Sequence, residues 1–268
     1  MNTLQEKEKA LKEYIKDLGS LAVAFSGGVD STYLCAVAHE VLGDRMIAVT
    51  AKAAWVPDRE YREAEDFCTE EGIRQETVQA REEEIPGFRK NPANRCYLCK
   101  TALFGKILRT AERCGMSYVA EGSNMDDLGD YRPGLAAIAE LGVKSPLREA
   151  GLTKQDIRDL SKGRGLPTWD KPSYACLASR FVYGEEITTK KLAMVDTAEQ
   201  LLIDLGFRQM RVRMHGEMAR IEVLPEDISR FLDEELRNRV WTELKKAGFS
   251  YVALDLQGYR TGSMNLGI

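Results

Sequence analysis

The chain has 268 residues and a formal net charge of −4, with 38 Lys and Arg against 42 Asp and Glu. The two signs are mixed without a basic stripe, which argues against a nucleic-acid partner. No apolar run approaches the length that spans a membrane, and the start of the chain predicts a charged amphipathic helix, not a secretory signal. We therefore expect a cytoplasmic protein with a sizeable core, built as one large domain or two smaller ones.

The first strong signal is the stretch SGGVDS at residues 26–31. The apolar run at residues 21–25 predicts a strand buried on both faces, and the apolar spacing at residues 32–42 predicts a helix. SGGVDS therefore forms a tight turn from the end of a strand into the start of a helix.

This turn has the composition of a phosphate cradle. Gly27 and Gly28 permit positive φ and a close approach to the backbone, while the helix start offers N–H groups and a positive dipole end. Ser26 and Ser31 add hydroxyl donors. A plain turn with Asp30 or Ser31 as the helix N-cap is the alternative.

The cradle is neither a Walker loop nor a dinucleotide-binding loop, because both of those patterns are absent here. It resembles the signature of the PP-loop ATP pyrophosphatases, which cleave ATP between its α and β phosphates. A plain turn does not explain Asp30, because a carboxylate beside phosphates implies a bridging Mg²⁺.

Strand and helix signals continue to alternate through the first half of the chain. The next predicted elements are a strand at residues 46–50, a helix at 58–72, a strand at 75–78, a helix at 99–114 and a strand at 118–121. This order predicts an α/β fold with a parallel sheet and ligands at the carboxyl ends of its strands. SGGVDS, AKAAWVP and GSNMDD each follow such an end.

The pattern changes in the last hundred residues. Residues 167–188 predict an ordered linker that carries Cys176. The elements predicted beyond it are a helix at residues 189–205, adjacent antiparallel strands at 209–214 and 219–224, a helix at 225–247 and a strand at 251–256. We therefore predict a first domain at residues 1–166 and a smaller α+β domain at residues 189–268.

The six cysteines fall into two groups. Cys35, Cys68 and Cys114 lie in predicted helices and are interpreted as small core residues. Cys96 and Cys99 instead form a CxxC pair at a predicted helix start, where the dipole favours thiolate.

Three uses of the CxxC pair compete. A structural zinc site needs four ligands, and neither His39 nor His215 has ligand spacing. A thioredoxin-like redox pair leaves Cys176 unexplained. An iron–sulfur cluster held by all three cysteines leaves one iron open for an external sulfide.

Six stretches together resemble one family. SGGVDST, CYLCK, DYRPGL, ACLASRFVYGEEIT, RVRMHGEMARIE and LDLQGYRTGSMN follow, in this order, the pattern of the LarE proteins from about residue 5 to residue 265. The one departure is Val182, which stands where a proline is usual.

The resemblance implies an ATP-dependent sulfur transferase that acts on pyridinium-3,5-biscarboxylic acid mononucleotide. Its carboxylates are adenylated and then converted to thiocarboxylates, in the biosynthesis of the nickel-pincer cofactor of lactate racemase. The expected cofactors are ATP, Mg²⁺ and a [4Fe-4S] cluster on Cys96, Cys99 and Cys176. A homo-oligomer such as a hexamer, and sulfide or another sulfur donor, are also implied. The alternative within the family is a single active cysteine, aligned with Cys176, that gives up its own sulfur; the CxxC pair favours the cluster.

The resemblance also assigns further residues. Those residues are Lys100 for ATP, Arg132, Arg180, Arg211 and Arg213 for the substrate, and Glu199 and Glu222 for a metal. Arg211 and Arg213 alternate along a predicted strand, so they share a face and could grip a phosphate. Ordinary surface charge is the alternative for Lys100 and the arginines, and a solvated helix face and strand edge explain the two glutamates nearly as well.

Two other functions compete with this one. A tRNA-thiolating enzyme also combines a PP-loop with three cysteines, but polyanion binding requires clustered Lys and Arg. A non-catalytic ATP sensor would leave CYLCK and Cys176 without a purpose.

Overall fold

The structure is a computed structural model that describes residues 3–129, 133–260 and 262–265. The chain divides into two compact units, the first made of Met1–Ile85 and Cys96–Tyr174, the second of Pro86–Arg95 and Ala175–Ile268. The second unit therefore contains a short segment from the first half of the chain. The change of unit comes at residue 174, inside the predicted linker.

The first unit is an α/β unit around a four-stranded sheet. Its strands are β1 (Leu21–Ala24), β2 (Met46–Lys52), β3 (Gln75–Gln79) and β4 (Tyr118–Ala120). Its helices are α1 (Leu4–Leu18), α2 (Val29–Leu42), α3 (Asp58–Glu70), α4 (Arg95–Arg113), α5 (Pro133–Glu140), α6 (Pro146–Glu149) and α7 (Lys154–Gly163). The strands are all parallel in the order β3-β2-β1-β4, which confirms the predicted fold class.

Both faces of the central strand β1 are buried, as its continuous apolar run predicts, while the edge strand β3 is mostly exposed or half-buried. Leu21 and Val23 point into a core that includes residues of α1, α2, α3 and α7. Ala22 points to the opposite core, which includes Phe104 and Ile107 of α4. Successive residues of a strand face opposite sides, so β1 contributes to both cores.

The sheet order creates a crevice at the carboxyl end of β1. From β1 the chain adds β2 and β3 on one side and β4 on the other. Ligands of open parallel sheets bind where the strand order reverses in this way. The SGGVDS loop follows β1 and the GSNMDD stretch follows β4, so both lie at this point.

Over the residues that the structure describes, the second unit contains a three-stranded mixed sheet and two α-helices. These elements are α8 (Thr189–Asp204), β5 (Met210–His215), β6 (Met218–Val223), α9 (Glu234–Ala247) and β7 (Tyr251–Leu254). The predicted antiparallel pairing of β5 and β6 is confirmed, while β7 lies parallel to β6.

The single helix predicted at residues 225–247 is wrong. Pro225–Leu232 forms a 3-10 helix, and α9 begins only after Asp233. The Asp233 side chain accepts a hydrogen bond from the backbone N–H of Leu236 at 2.7 Å, which makes Asp233 the N-cap of α9. An N-cap has non-helical backbone angles, so it interrupts the helix.

The segment that follows Cys176 is part of the second unit's core. Leu177, Ala178 and Phe181 are buried, and the short 3-10 helix Leu177–Arg180 starts directly after the cysteine. Within the described ranges, none of the helices combines the length and apolarity needed to cross a bilayer.

Candidate active site

The SGGVDS loop folds back on the start of α2. The Ser31 hydroxyl donates to the Gly28 carbonyl at 3.1 Å, and the backbone N–H of Ser26 donates to the Ser31 hydroxyl oxygen at 3.3 Å. Gly28 is the N-cap of α2, and no side chain caps the helix. The alternative with Asp30 or Ser31 as the cap is therefore wrong, and the N–H groups of the first turn face the crevice without a side-chain cap.

Gly27 is required by both its conformation and its surroundings. Its φ is +71°, and a Cβ at this position would lie 3.2 Å from the backbone oxygen of Glu60 in α3. The loop is thus pressed against α3, with no room for a side chain.

Asp30 lies in the first turn of α2 and faces residues of two other segments. Its carboxylate forms an ion pair with the Lys154 ammonium and accepts a hydrogen bond from the Asn124 amide at 3.3 Å. The loop after β4 approaches so closely that a Cβ on Gly122 would lie 3.2 Å from the Asp30 Cβ. Asp30 therefore sits where both loops of the crevice meet.

A hydrogen-bond network fixes the residues that face Asp30. Asp126 accepts from the backbone N–H of Lys154 at 2.9 Å, and Asn124 accepts from the backbone N–H of Asp126 at 2.9 Å. The buried Glu121 carboxylate accepts from the hydroxyls of Ser123 and Ser145 at 2.7 and 2.6 Å. This network orients Asn124 and Lys154 toward Asp30.

Lys154 was not among the residues predicted for the site. Its local signal is the capping box of Thr153 and Asp156, which marks the start of α7 and places Lys154 in the first turn. The pairing with Asp30 joins positions 124 residues apart, so no local pattern predicts it.

Lys100 lies one helical turn beyond Cys96, in α4. A Cβ built on Gly134 would lie only 2.7 Å from the Lys100 Cδ, so the lysine stem packs against the start of α5. The predicted site residue Arg132, two positions before Gly134, is outside the described residues.

The cysteines of the CxxC pair lie at the start of α4, as predicted. Cys96 and Cys99 are partly exposed and three residues apart, so they share one face of the helix. The other predicted cluster ligand, Cys176, is also partly exposed and belongs to the second unit. Across the described ranges, no three His, Cys, Asp or Glu side chains form a group that could hold a metal ion.

Residues next to Cys96 and Cys176 in sequence meet inside the second unit. Arg95 donates from one terminal nitrogen to the carbonyl of Ala178 at 2.8 Å and to the Asn91 side chain at 2.6 Å. The Asn91 amide donates to the carbonyl of Val182 at 2.7 Å. The Pro86–Arg95 segment is thereby attached to the chain that follows Cys176.

Two of the remaining cysteines are core residues, as predicted. Cys35 and Cys68 are buried, and burial raises the pKa of Cys68 to about 12. Cys114 is only half-buried and accepts a long hydrogen bond from Arg74 at 3.5 Å.

Arg180 and Glu199 form a buried pair in the second unit. The guanidinium binds both carboxylate oxygens, and its other terminal nitrogen donates to the carbonyls of Ala175 and Cys176 at 2.6 and 3.1 Å. Burial alone would raise the pKa of Glu199, but the charge and hydrogen bonds of Arg180, with smaller contributions from Arg211 and the Val212 N–H, together outweigh it and hold this pKa below its usual range.

A second buried group lies on β5 and β6. The strand register puts Arg211 and Arg213 on the same face, which confirms that part of the prediction. The Nε and a terminal nitrogen of Arg213 both lie 3.0 Å from Oε2 of Glu222, while Arg220 and Ser263 bind Oε1.

Arg211 packs against an aromatic ring, and its burial lowers its pKa. Its guanidinium lies 5.1 Å from the centre of the Tyr259 ring. Burial and the nearby Arg180 lower the pKa of Arg211 to about 10. An anion bound beside Arg211 would favour the charged form of this guanidinium.

The two arginines of β5 and the two glutamates predicted to bind a metal are not ordinary surface charges. Arg211 and Arg213 are 3% and 6% exposed, and Glu199 and Glu222 are fully buried. The alternative that these four residues are solvent-exposed surface charges is therefore wrong. The metal role of the two glutamates stays a prediction.

Comparisons with known proteins identify the relatives of this chain. The sequence profile of the NAD synthase family matches residues 3–88, which include the SGGVDS loop. An uncharacterized protein of Synechocystis is 42% identical over 98% of each chain. The argininosuccinate synthase of Natronomonas pharaonis is 30% identical over 76% of this chain and 57% of its own.

A relative with an assigned activity covers nearly the whole chain. The pyridinium-3,5-bisthiocarboxylic acid mononucleotide synthase of Lactiplantibacillus plantarum is 37% identical over 99% of this chain and 96% of its own. Coverage of this extent includes the PP-loop unit, the cysteine segments and the small C-terminal unit. The chain therefore belongs to the LarE family of ATP-dependent sulfur transferases, as its six sequence stretches predict.

Proposed function

We propose that this protein adenylates the carboxylates of pyridinium-3,5-biscarboxylic acid mononucleotide and converts them to thiocarboxylates for a nickel-pincer cofactor. The observation that carries the proposal is the crevice at the carboxyl end of β1. There an uncapped helix start adjoins Asp30, which faces Lys154 and Asn124.

The first step requires a better leaving group on the carboxylate. A substrate carboxylate oxygen attacks the α-phosphorus of ATP, a new C(O)O–P bond forms, and the bond from the α-phosphorus to the bridging oxygen breaks. Pyrophosphate departs with that electron pair, and an acyl-adenylate remains. Helix N–H groups and the hydroxyls of Ser26 and Ser31 would hold the departing pyrophosphate.

Asp30 is suited to hold Mg²⁺ beside these phosphates. Its partly buried carboxylate is paired with the Lys154 ammonium, so the site accommodates a positive charge. A bound Mg²⁺ would offset the charge of the pyrophosphate. Lys154, and Lys100 by family resemblance, would supply further positive charge to the ATP phosphates.

The second step exchanges oxygen for sulfur. A sulfur nucleophile attacks the acyl carbon, the bond from that carbon to the AMP oxygen breaks, and AMP leaves with a thiocarboxylate as the other product. We propose that the three cysteines Cys96, Cys99 and Cys176 bind a [4Fe-4S] cluster, which when bound would supply an expendable sulfide. The thiol chemistry of these three residues fits that cluster.

We assign the substrate's negative groups to the buried arginines of the second unit. Among the described residues, three buried guanidiniums lie in this group, those of Arg180, Arg211 and Arg213, against two buried carboxylates, those of Glu199 and Glu222. The excess of positive charge favours an anion such as a phosphate. Arg132 joins this set by family resemblance only.

We also propose a cytoplasmic homo-oligomer. Support comes from an apolar groove within the second unit, between the 3-10 helix at Pro225–Leu232, α9 and β7. Its rim includes Leu232 and Trp241, which are 81% and 54% exposed. Exposed apolar surface of this kind marks protein contacts.

An anaerobic assay with ATP, Mg²⁺, sulfide and the pyridinium substrate tests the function. We expect pyrophosphate release that depends on the substrate, and a product whose mass has increased by the difference between sulfur and oxygen. Substrate-independent binding of ATP without pyrophosphate release would indicate a sensor. Tight binding of bulk tRNA at moderate salt would favour a tRNA-thiolating enzyme.

A further inference from the structure

Lys171 has no role in the reaction steps above, yet it contacts the SGGVDS loop within the first unit. Its ammonium donates to the Gly27 carbonyl at 3.0 Å, to Glu60 at 2.9 Å and to Glu63 at 2.5 Å. A lysine ammonium has three N–H donors, so these contacts use all of them. The Lys171 side chain is only 13% exposed.

The two carboxylates keep this ammonium charged and in place. Burial alone would lower the pKa of Lys171, but Glu60 and Glu63 outweigh it and raise that pKa. Glu60 is itself buried, and its Oε1 has no hydrogen-bond partner among the described residues. The Glu60 carboxylate therefore depends mainly on Lys171 for compensation of its charge, with a smaller contribution from Arg59.

The backbone of Lys171 is also fixed. Arg158 of α7 donates to the carbonyl of Lys171 at 2.9 Å and to that of Trp169 at 2.7 Å. The ammonium thus reaches the loop from a segment held at both its backbone and its side chain.

The contact with Gly27 determines how the next N–H points. In a planar trans peptide the C=O and N–H groups point in opposite directions. When Lys171 binds the Gly27 carbonyl, the N–H of Gly28 on the same peptide points away from Lys171. A peptide between two glycines can rotate more readily than others, since neither residue has a Cβ that restricts it.

We propose that Lys171 is a positioning residue that holds the Gly27–Gly28 peptide with its N–H available to the pyrophosphate portion of ATP. Without this contact the peptide can turn over and direct the partly negative carbonyl oxygen at the phosphates. The inference rests on the proposed function of the loop as a pyrophosphate cradle. It assigns the lysine a role in recognising the β and γ phosphates, with none in recognising AMP.

The test compares two variants that leave no buried carboxylate unpaired. The control is Glu60→Gln, which retains Lys171, its ion pair with the exposed Glu63 and its bond to Gly27. The test variant adds Lys171→Met, which keeps most of the length of the side chain but removes the donor. Binding of Mg²⁺ with inorganic pyrophosphate, and of AMP, is measured by calorimetry on the full-length protein, together with the thermal unfolding midpoint.

We expect the control to bind pyrophosphate like the wild type and the Lys171→Met variant to bind it roughly tenfold more weakly, with AMP affinity unchanged. The KM for ATP should rise by a similar factor while kcat changes less. Equal pyrophosphate affinity in the two variants, or an equal loss for pyrophosphate and AMP, would overturn the proposal. Failure of the wild type to bind pyrophosphate would instead contradict the function proposed for the loop.

If the Lys171→Met protein does not fold, pyrophosphate and AMP binding are measured on the Arg158→Gln variant in its place. It removes the donor to the carbonyls of Trp169 and Lys171 and leaves the Lys171 ammonium itself intact, so a smaller loss of pyrophosphate affinity with normal AMP binding is expected. An unchanged pyrophosphate affinity in that variant would count against the positioning role.

Discussion

The guanidinium of Arg180 binds Glu199 through two parallel contacts, Nε to Oε1 and a terminal nitrogen to Oε2, each 2.9 Å long. Both side chains are fully buried. Because the remaining terminal nitrogen of Arg180 donates to the carbonyl of Cys176, the pair also orients the backbone of the proposed sulfur-carrying residue.

The first prediction concerns this pair. Glu199→Ala should lower the free energy of unfolding by about 3–5 kcal/mol, because it leaves the Arg180 charge buried without compensation. Urea denaturation measures the loss, and Arg180→Met/Glu199→Leu, which removes both charges, should recover much of it. If Glu199 acts by holding a metal, a chelator should reproduce the destabilisation in the wild type.

The pair also makes a prediction about pH. Arg180 lowers the pKa of Glu199 in the folded state, so the stabilisation is complete above the unfolded pKa of about 4.3 and is lost as the pH falls through the lower folded value. The wild type should therefore lose more stability on acidification than the variant that lacks both charges. Parallel losses in the two proteins would contradict this assignment.

The third prediction tests the crevice. Asp30→Ala should abolish pyrophosphate release, because Mg²⁺ and Lys154 both lose their carboxylate. The Asp30–Lys154 pair is partly exposed and adds little to stability, so the free energy of unfolding should change by about 1 kcal/mol or less. Normal turnover in this variant would show that the loop is only a structural turn.

The fourth prediction concerns the arginines of β5. Arg211→Lys and Arg213→Lys should each weaken substrate binding about tenfold or more, because lysine keeps the charge and loses the planar fork. Arg220→Lys is the matched control, since Arg220 shares Glu222 with Arg213 but is partly exposed on β6. Unchanged substrate affinity in both β5 variants would reject the phosphate clamp.

The fifth prediction distinguishes a cluster-bound sulfide from the sulfur of Cys176 as the source of the transferred sulfur. If the three cysteines bind a cluster, Cys96→Ala, Cys99→Ala and Cys176→Ala should each lose iron together with activity. Added sulfide should then support repeated turnover, with the mass of the protein unchanged. Iron analysis and intact-protein mass spectrometry measure both.

A different set of results is expected if Cys176 donates its own sulfur. A sacrificial Cys176 would lose its sulfur in one turnover, and the protein mass would fall by one sulfur and its hydrogens. An iron-free Cys96→Ala protein that still thiolates its substrate once would exclude the cluster.

The sequence predicted the parts of the site that depend on short-range patterns. The strand and helix around SGGVDS follow from a local apolar run and helical spacing, and the shared face of Arg211 and Arg213 follows from strand alternation. Alternation identifies a face but gives no measure of its burial. The deep burial of both arginines was therefore missed.

Long-range pairings were not predictable from any window of sequence. Lys154 meets Asp30 and Lys171 meets Gly27 across separations of 124 and 144 residues. The helix predicted at residues 225–247 failed for a different reason. Its apolar spacing continues through Asp233, while the capping of α9 by that side chain divides the segment in two.

The ten residues at Pro86–Arg95 have a consequence for synthesis of the chain. Asn91 bonds to Phe181 and Val182, which lie 90 and 91 positions later. At ordinary translation rates those partners emerge on the order of ten seconds after Asn91. During that interval Phe88, which is 1% exposed in the finished structure, has no core to enter. A nascent chain arrested before residue 175 should therefore expose Phe88 to solvent and to chaperones, and the two units cannot be produced as independent fragments by a single cut.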